Sequence, residues 1–161
     1  MASGKYLFGM IDNLCYLKMV GDMKYTHSGV LDDFLENLMK NESCSGVVID
    51  LSDTEWIDST NLGLIAKFAR LTHKKSLEKP ILFSTNQNLN TLLTNMGFNS
   101  YFHLIDHLDE NQLELEEMQQ MKQSSQEMKK IMLEAHEHLI EMSPENEKKF
   151  KNVVNILKNS I

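Results

Sequence analysis

The sequence predicts an α/β fold, a mixed and mainly parallel sheet packed on helices, followed by a C-terminal helical hairpin. Three observations carry this. Short β-prone runs alternate with helical apolar spacings between residues 6 and 105, and strand–helix–strand crossovers imply parallel pairing. Only 2 Pro and 7 Gly occur in 161 residues, too few for an all-β sandwich with many tight turns. The texture also changes after Leu108: residues 1–108 hold every Gly and every aromatic residue except Phe150, whereas 109–161 is rich in Glu, Gln, Lys and Met. A mixed core over 1–108 and a helical extension over 109–161 are therefore expected.

Each element follows from a local pattern. Tyr6–Met10 and Leu14–Val20 are β-prone runs around the turn signal Asp12-Asn13 and read as a hairpin. Val30, Leu31, Phe34, Leu35, Leu38 and Met39 recur at the spacing of one helix face, predicting a helix that stops near Asn41. Val47–Leu51 is an apolar run with one carboxylate, the pattern of a central strand buried on both faces. Leu62, Leu64, Ile65, Phe68, Ala69 and Leu71 follow the polar triplet Asp58-Ser59-Thr60, which stands where a helix needs its N-cap. Ile81–Ser84 reads as a strand, Leu89–Met96 as a short helix ended by Gly97, and Tyr101–Ile105 as an edge strand. In the extension, Met118, Met121, Ser125, Met128, Met132, Ala135 and Leu139 alternate steps of three and four, predicting one long helix from before Met118. Ser143 as N-cap and Pro144 at the first helical position then start a second helix carrying Phe150, Val153, Val154, Leu157 and Ile161.

Composition narrows function. A formal net charge of −7 opposes binding to nucleic acid or an anionic membrane, both of which need clustered Lys and Arg, and favours a protein partner. Cys15 and Cys44 are too few for a stapled secreted domain and lack metal-site spacing. No signal peptide or apolar run of membrane-spanning length is visible, so a cytoplasmic protein is expected.

The most informative stretch is Val48–Leu64, in which a buried strand ends, three carboxylates (Asp53, Glu55, Asp58) follow, and Ser59-Thr60 open a helix. The strand, the short connection, Asp58-Ser59-Thr60 and then Leu62-Gly63-Leu64 resemble the STAS domain of bacterial anti-sigma factor antagonists over about residues 4–108. The resemblance implies a STAS-like sandwich. It further implies that Ser59 is the phosphate acceptor of an anti-sigma factor that is also a serine kinase, and that a serine/threonine phosphatase restores the hydroxyl. Only the unphosphorylated form would bind the kinase. Asp58 and Thr60 would support the motif, Thr60 as a secondary acceptor. That family usually has Gly after the hydroxyl pair, where this chain has Asn61.

Physical chemistry is compatible with such a switch. A phosphate adds about −1.5 to −2 charge beside existing carboxylates, so an interface formed there would suffer repulsion, while a helix N-terminus tolerates the anion. Residues at a helix start are commonly surface, which predicts a partner-binding patch of Asp53, Glu55, Trp56, Asn61 and Leu62, with Trp56 as anchor. Other motifs have plainer readings. Asp58-Ser59-Thr60 taken alone is a helix cap. Asp50 lacks the acidic pair that a phosphoryl-accepting receiver domain needs. The histidines lack ligand spacing, His136 and His138 diverge on a helix, and no serine or cysteine has a base framed beside it in sequence. No enzyme activity, cofactor or metal is expected. The alternative is a non-enzymatic scaffold whose helical tail drives oligomerisation or recruits a partner.

Overall fold

The computed structural model describes residues 3–74, 78–109 and 113–161. Strands β1 (Lys5–Ile11) and β2 (Leu14–Met23) form the expected hairpin, with Ile11 opposite Leu14. Asp12 and Asn13 both take positive φ, 48° and 69°, the two-residue turn whose twist matches that of the flanking strands. A 3-10 turn at Tyr25–His27 leads into α1 (Ser28–Lys40), then β3 (Gly46–Asp50), β4 (Thr54–Ile57), α2 (Ser59–Lys74) and β5 (Ile81–Phe83). Next come α3 (Gln87–Asn95), a 3-10 turn at Phe98–Ser100, β6 (His103–Ile105), β7 (Glu116–Glu117), α4 (Ser125–Met142) and α5 (Pro144–Asn159).

The sheet order is β6-β5-β3-β2-β1-β7. The pairs β2–β3, β3–β5 and β5–β6 are parallel, while β1 is antiparallel to both its neighbours. This is the mixed, mainly parallel sheet expected, with β3 in its middle. Leu17, Met19, Ile49 and Leu51 point from one sheet face into the core, where they meet Leu31 and Leu35 of α1 and Leu62, Ile65 and Phe68 of α2. Leu14, Tyr16, Lys18, Val48 and Asp50 alternate onto the other face and line a cavity of about 470 Å³.

Two strands are additional to the expected set. β4 lies where a loop was expected and pairs in parallel with the far end of β2, across a register shift at Gly21/Asp22. Its four residues show no alternation a reader could use, since Glu55 and Trp56 are both exposed. Tertiary bonds hold it instead: the Thr54 hydroxyl donates to the Met19 carbonyl at 2.7 Å, and the Asp58 N–H donates to the Met23 carbonyl at 3.0 Å. β7 is two glutamates, with no β signal in their side chains, and forms by backbone pairing on the open edge of β1.

The predicted helix from before Met118 is corrected as well. Met118 follows β7, donates its N–H to the Tyr6 carbonyl at 2.9 Å and buries its side chain in the sheet core. Neither it nor Met121 is helical; α4 begins at Ser125, with the Ser124 hydroxyl accepting from the Glu127 N–H at 3.1 Å. Along α4 the expected stripe is fully buried at Ala135 and Leu139, partly buried at Met128 and Met132, and exposed at Ser125. Helix α4 packs across α2 on one side and α5 on the other. Ser143 caps α5 and Pro144 opens it, as the sequence predicts. The turn between the two helices is fixed by Asn146, whose Nδ2 donates to the Met96 and Leu139 carbonyls at 2.8 Å each.

Candidate functional site

The start of α2 carries Asp58, Ser59 and Thr60, and the three do different things. The Asp58 carboxylate is the cap. Its Oδ1 accepts from the Asn61 N–H and from Asn61 Nδ2, both at 2.9 Å, and its Oδ2 accepts from the Tyr25 N–H at 2.5 Å. The Asn61 N–H of the first turn is therefore served without the Ser59 hydroxyl. Thr60 is 2% exposed and faces inward, so the support role fits its position but an acceptor role does not unless the helix start opens.

Ser59 is half-buried, and its Oγ lies 2.7 Å from Nε2 of His136 on α4. The other ring nitrogen, Nδ1, lies 2.6 Å from the Met132 carbonyl. A carbonyl can only accept, so Nδ1 carries a proton, and in the neutral ring Nε2 accepts from the Ser59 hydroxyl. The ring is 3% exposed and meets Phe150 of α5 edge-on, with centroids 5.5 Å apart. No sequence neighbour signalled this pair, because 77 residues separate its members.

Four α2 residues, Ser59, Gly63, Lys67 and Arg70, share the face turned to α4. The Gly63 backbone approaches Ala135 so closely that a Cβ there would sit 2.3 Å from the Ala135 carbonyl oxygen. Lys67 Nζ contacts Asp32 (2.9 Å) and Glu36 (2.8 Å) of α1 and Glu134 (3.2 Å) of α4. Burial alone would lower its pKa, but the three carboxylates hold it above the ordinary lysine range, so it stays charged. Burial, set against the attraction of Lys67, leaves the Asp32 carboxyl above its usual value. Arg70 lies 2.7 Å from His138 Nδ1, and burial, then the neighbouring Arg70, Lys67 and Lys74 charges, push that histidine down to about 4.

The predicted contact patch is split by the structure. Asp53, Glu55 and Trp56 are exposed, Trp56 at 52%, and Asp53 reaches Lys18 at 2.8 Å, a surface pair worth less than about 1 kcal/mol. Asn61 and Leu62 are instead buried, at 0% and 3%. Asn61 faces the sheet, where its Oδ1 accepts from the Tyr6 hydroxyl, and Leu62 packs in the core. The helix start is capped inward by α4 and the sheet, so the surface expectation fails one residue into the helix. Burial, and secondarily the Asp58 charge, keep the Tyr6 hydroxyl protonated far above its usual range.

The remaining candidates are structural. Asp50 is 3% exposed, and its carboxylate accepts from the Tyr16 hydroxyl and from the Ser52 N–H at 2.8 Å. Cys15 and Cys44 are free thiols in contact. Among the described residues no group of three His, Cys, Asp or Glu side chains is arranged to hold a metal, and no helix is long and apolar enough to cross a membrane.

Comparison with known proteins bears on the fold that frames this site. The STAS domain profile matches residues 10–111. The crystal structure of an anti-sigma factor antagonist from Mycobacterium paratuberculosis is similar, with a TM-score of 0.55 and 19% identity over 66% of this chain and 88% of that one. No curated protein matches.

Proposed function

The chain belongs to the STAS domain family, and on that premise we propose that it is an anti-sigma factor antagonist-like regulator switched by reversible phosphorylation of Ser59. The observation that carries this reading is the division of labour at the α2 start: Asp58 does the capping, so the Ser59 hydroxyl is spare and bonds only a side chain. In the proposed cycle Ser59 Oγ attacks the γ-phosphorus of ATP held by a partner kinase. The new O–P bond forms as the bond to ADP breaks, and the hydroxyl proton leaves to a base. A phosphatase reverses the step by hydrolysis. The protein is then a substrate and a binding module in the cytoplasm rather than an enzyme. Asp53, Glu55 and Trp56, all exposed beside the α2 start, form the contact patch, and Asn61 and Leu62 support it from beneath.

The test is to incubate the protein with a candidate anti-sigma factor kinase and ATP, locate the modification by mass spectrometry, and compare capture by Ser59→Ala and Ser59→Asp. The Ala form should bind and the Asp form should lose at least about tenfold in affinity, through added charge beside Asp58. Equal capture by both overturns the reading.

A second reading, a scaffold that self-associates through its tail, draws on one observation: Val153 and Ile156 of α5 are 36% and 65% exposed.

A further inference from the structure

We infer that the α4–α5 hairpin is a lid over Ser59, and that its docking on α2 and a phosphate on Ser59 exclude one another. The inference rests on the proposed modification of Ser59 and adds a regulation internal to this chain.

Geometry supplies the exclusion. At 2.7 Å the Ser59 oxygen and the His136 ring are in direct contact, with no layer of atoms between them. A phosphoryl group adds a phosphorus and three oxygens beyond Oγ, so with Ser59 in its present rotamer the ring must leave its seat. It has little room to do so alone, because it is 3% exposed, bonded through Nδ1 to its own helix and set edge-on against Phe150. Movement of the ring therefore means movement of α4.

Charge works in the same direction. Asp58 adjoins the site and is already committed as an acceptor. Along the α2 stripe the first cation is Lys67, eight residues or roughly 12 Å away along the axis, and it is engaged by three carboxylates. His136 is the side chain in contact with Ser59 Oγ, and it can answer the phosphate only after giving up the position it holds.

The face beneath α4 mixes core and polar contacts. Ala135 and Leu139 join the hydrophobic core, and beside them lie a hydroxyl on an imidazole, an ammonium on a carboxylate and a guanidinium on a second imidazole. Interfaces between units of one chain that part and rejoin are more polar than permanent cores. Because coupling is reciprocal, anything that lifts α4 also favours phosphorylation of Ser59.

The experiment uses the full chain with phosphoserine installed at position 59 during translation and follows amide hydrogen exchange by mass spectrometry. The unmodified chain and Ala135→Arg, which wedges a long side chain under Gly63, bracket the closed and open hairpin. Exchange in residues 125–142 should accelerate at least about tenfold in the phosphoserine chain, toward the Ala135→Arg level, with β2 and β3 unchanged. Unchanged or slower exchange in α4 overturns the inference, the slower case meaning that His136 takes up the phosphate without moving. Equal acceleration in β2 and β3 also overturns it, since the phosphate would then unfold the core rather than release a lid. No kinase is used, so a chain that opens on phosphoserine but is never modified by a kinase would sink the function proposed above and leave this coupling standing.

Discussion

Asn61 is the residue on which the start of α2 depends. It serves the cap through two bonds to Asp58 and serves the sheet by accepting from the buried Tyr6 hydroxyl. Asn61→Ala leaves that hydroxyl unpaired at 0% exposure, which should cost about 1–3 kcal/mol; urea denaturation followed by far-UV circular dichroism would measure it, and a loss below about 0.5 kcal/mol would refute the role. The cap itself was legible in the sequence, because an acidic residue before a hydroxyl pair and an apolar helix has a local cause. Asn61 as a core residue was not, since its partner is 55 positions away on β1 and polarity alone suggested surface. His136 escaped for the same reason. A hint lay in its place on the buried face of α4, between Met132 and Leu139, where a polar side chain calls for a partner.

At the scale of elements, the long, strongly periodic helices and the apolar strands were readable, and the short pieces were not. β4 and β7 owe their form to the backbone of β2 and β1, and four or two residues hold no period to detect. The Met stripe shows the opposite error: the spacing of Met118 and Met121 extended a real period past the cap at Ser124, and the pull of an open sheet edge won. The α2–α4 pair carries a pH signature. His138 sits near 4 in the fold against about 6.5 when unfolded, so above that range both states are neutral and nothing is lost. As pH falls from 6.5 toward 4 the unfolded chain takes up a proton that the folded chain refuses, and stability should decline. The raised Asp32 carboxyl opposes this, because the folded chain takes up that proton more readily. His138→Gln should flatten the thermal-stability profile between pH 6.5 and 4; an unaltered profile would show that His138 does not set it.

For the whole molecule, the change in composition at residue 108 lies close to the end of the family match at 111, and the sheet gains one more strand beyond it. The residues after it first complete the sheet through β7 and only then turn helical, and α4 roofs α2 as part of the same fold. Composition sees a boundary where side-chain chemistry changes; packing ignores it. Self-association is decided at this scale by the outer face of α5. If the exposed Ile156 anchors a dimer, sedimentation should show a concentration-dependent dimer that Ile156→Asp abolishes with no loss of helix, and a monomer at all concentrations would leave the regulator reading alone.

The edge strand β7 and the buried Met118 have a kinetic consequence for the hairpin that follows them. They pin the chain to the sheet just before α4, so a released hairpin stays on a leash of residues 119–124, about 20 Å when fully stretched. Such a short tether holds its cargo at an effective concentration in the millimolar range. Reclosure is then a first-order event whose rate is indifferent to how much of the protein a cell contains.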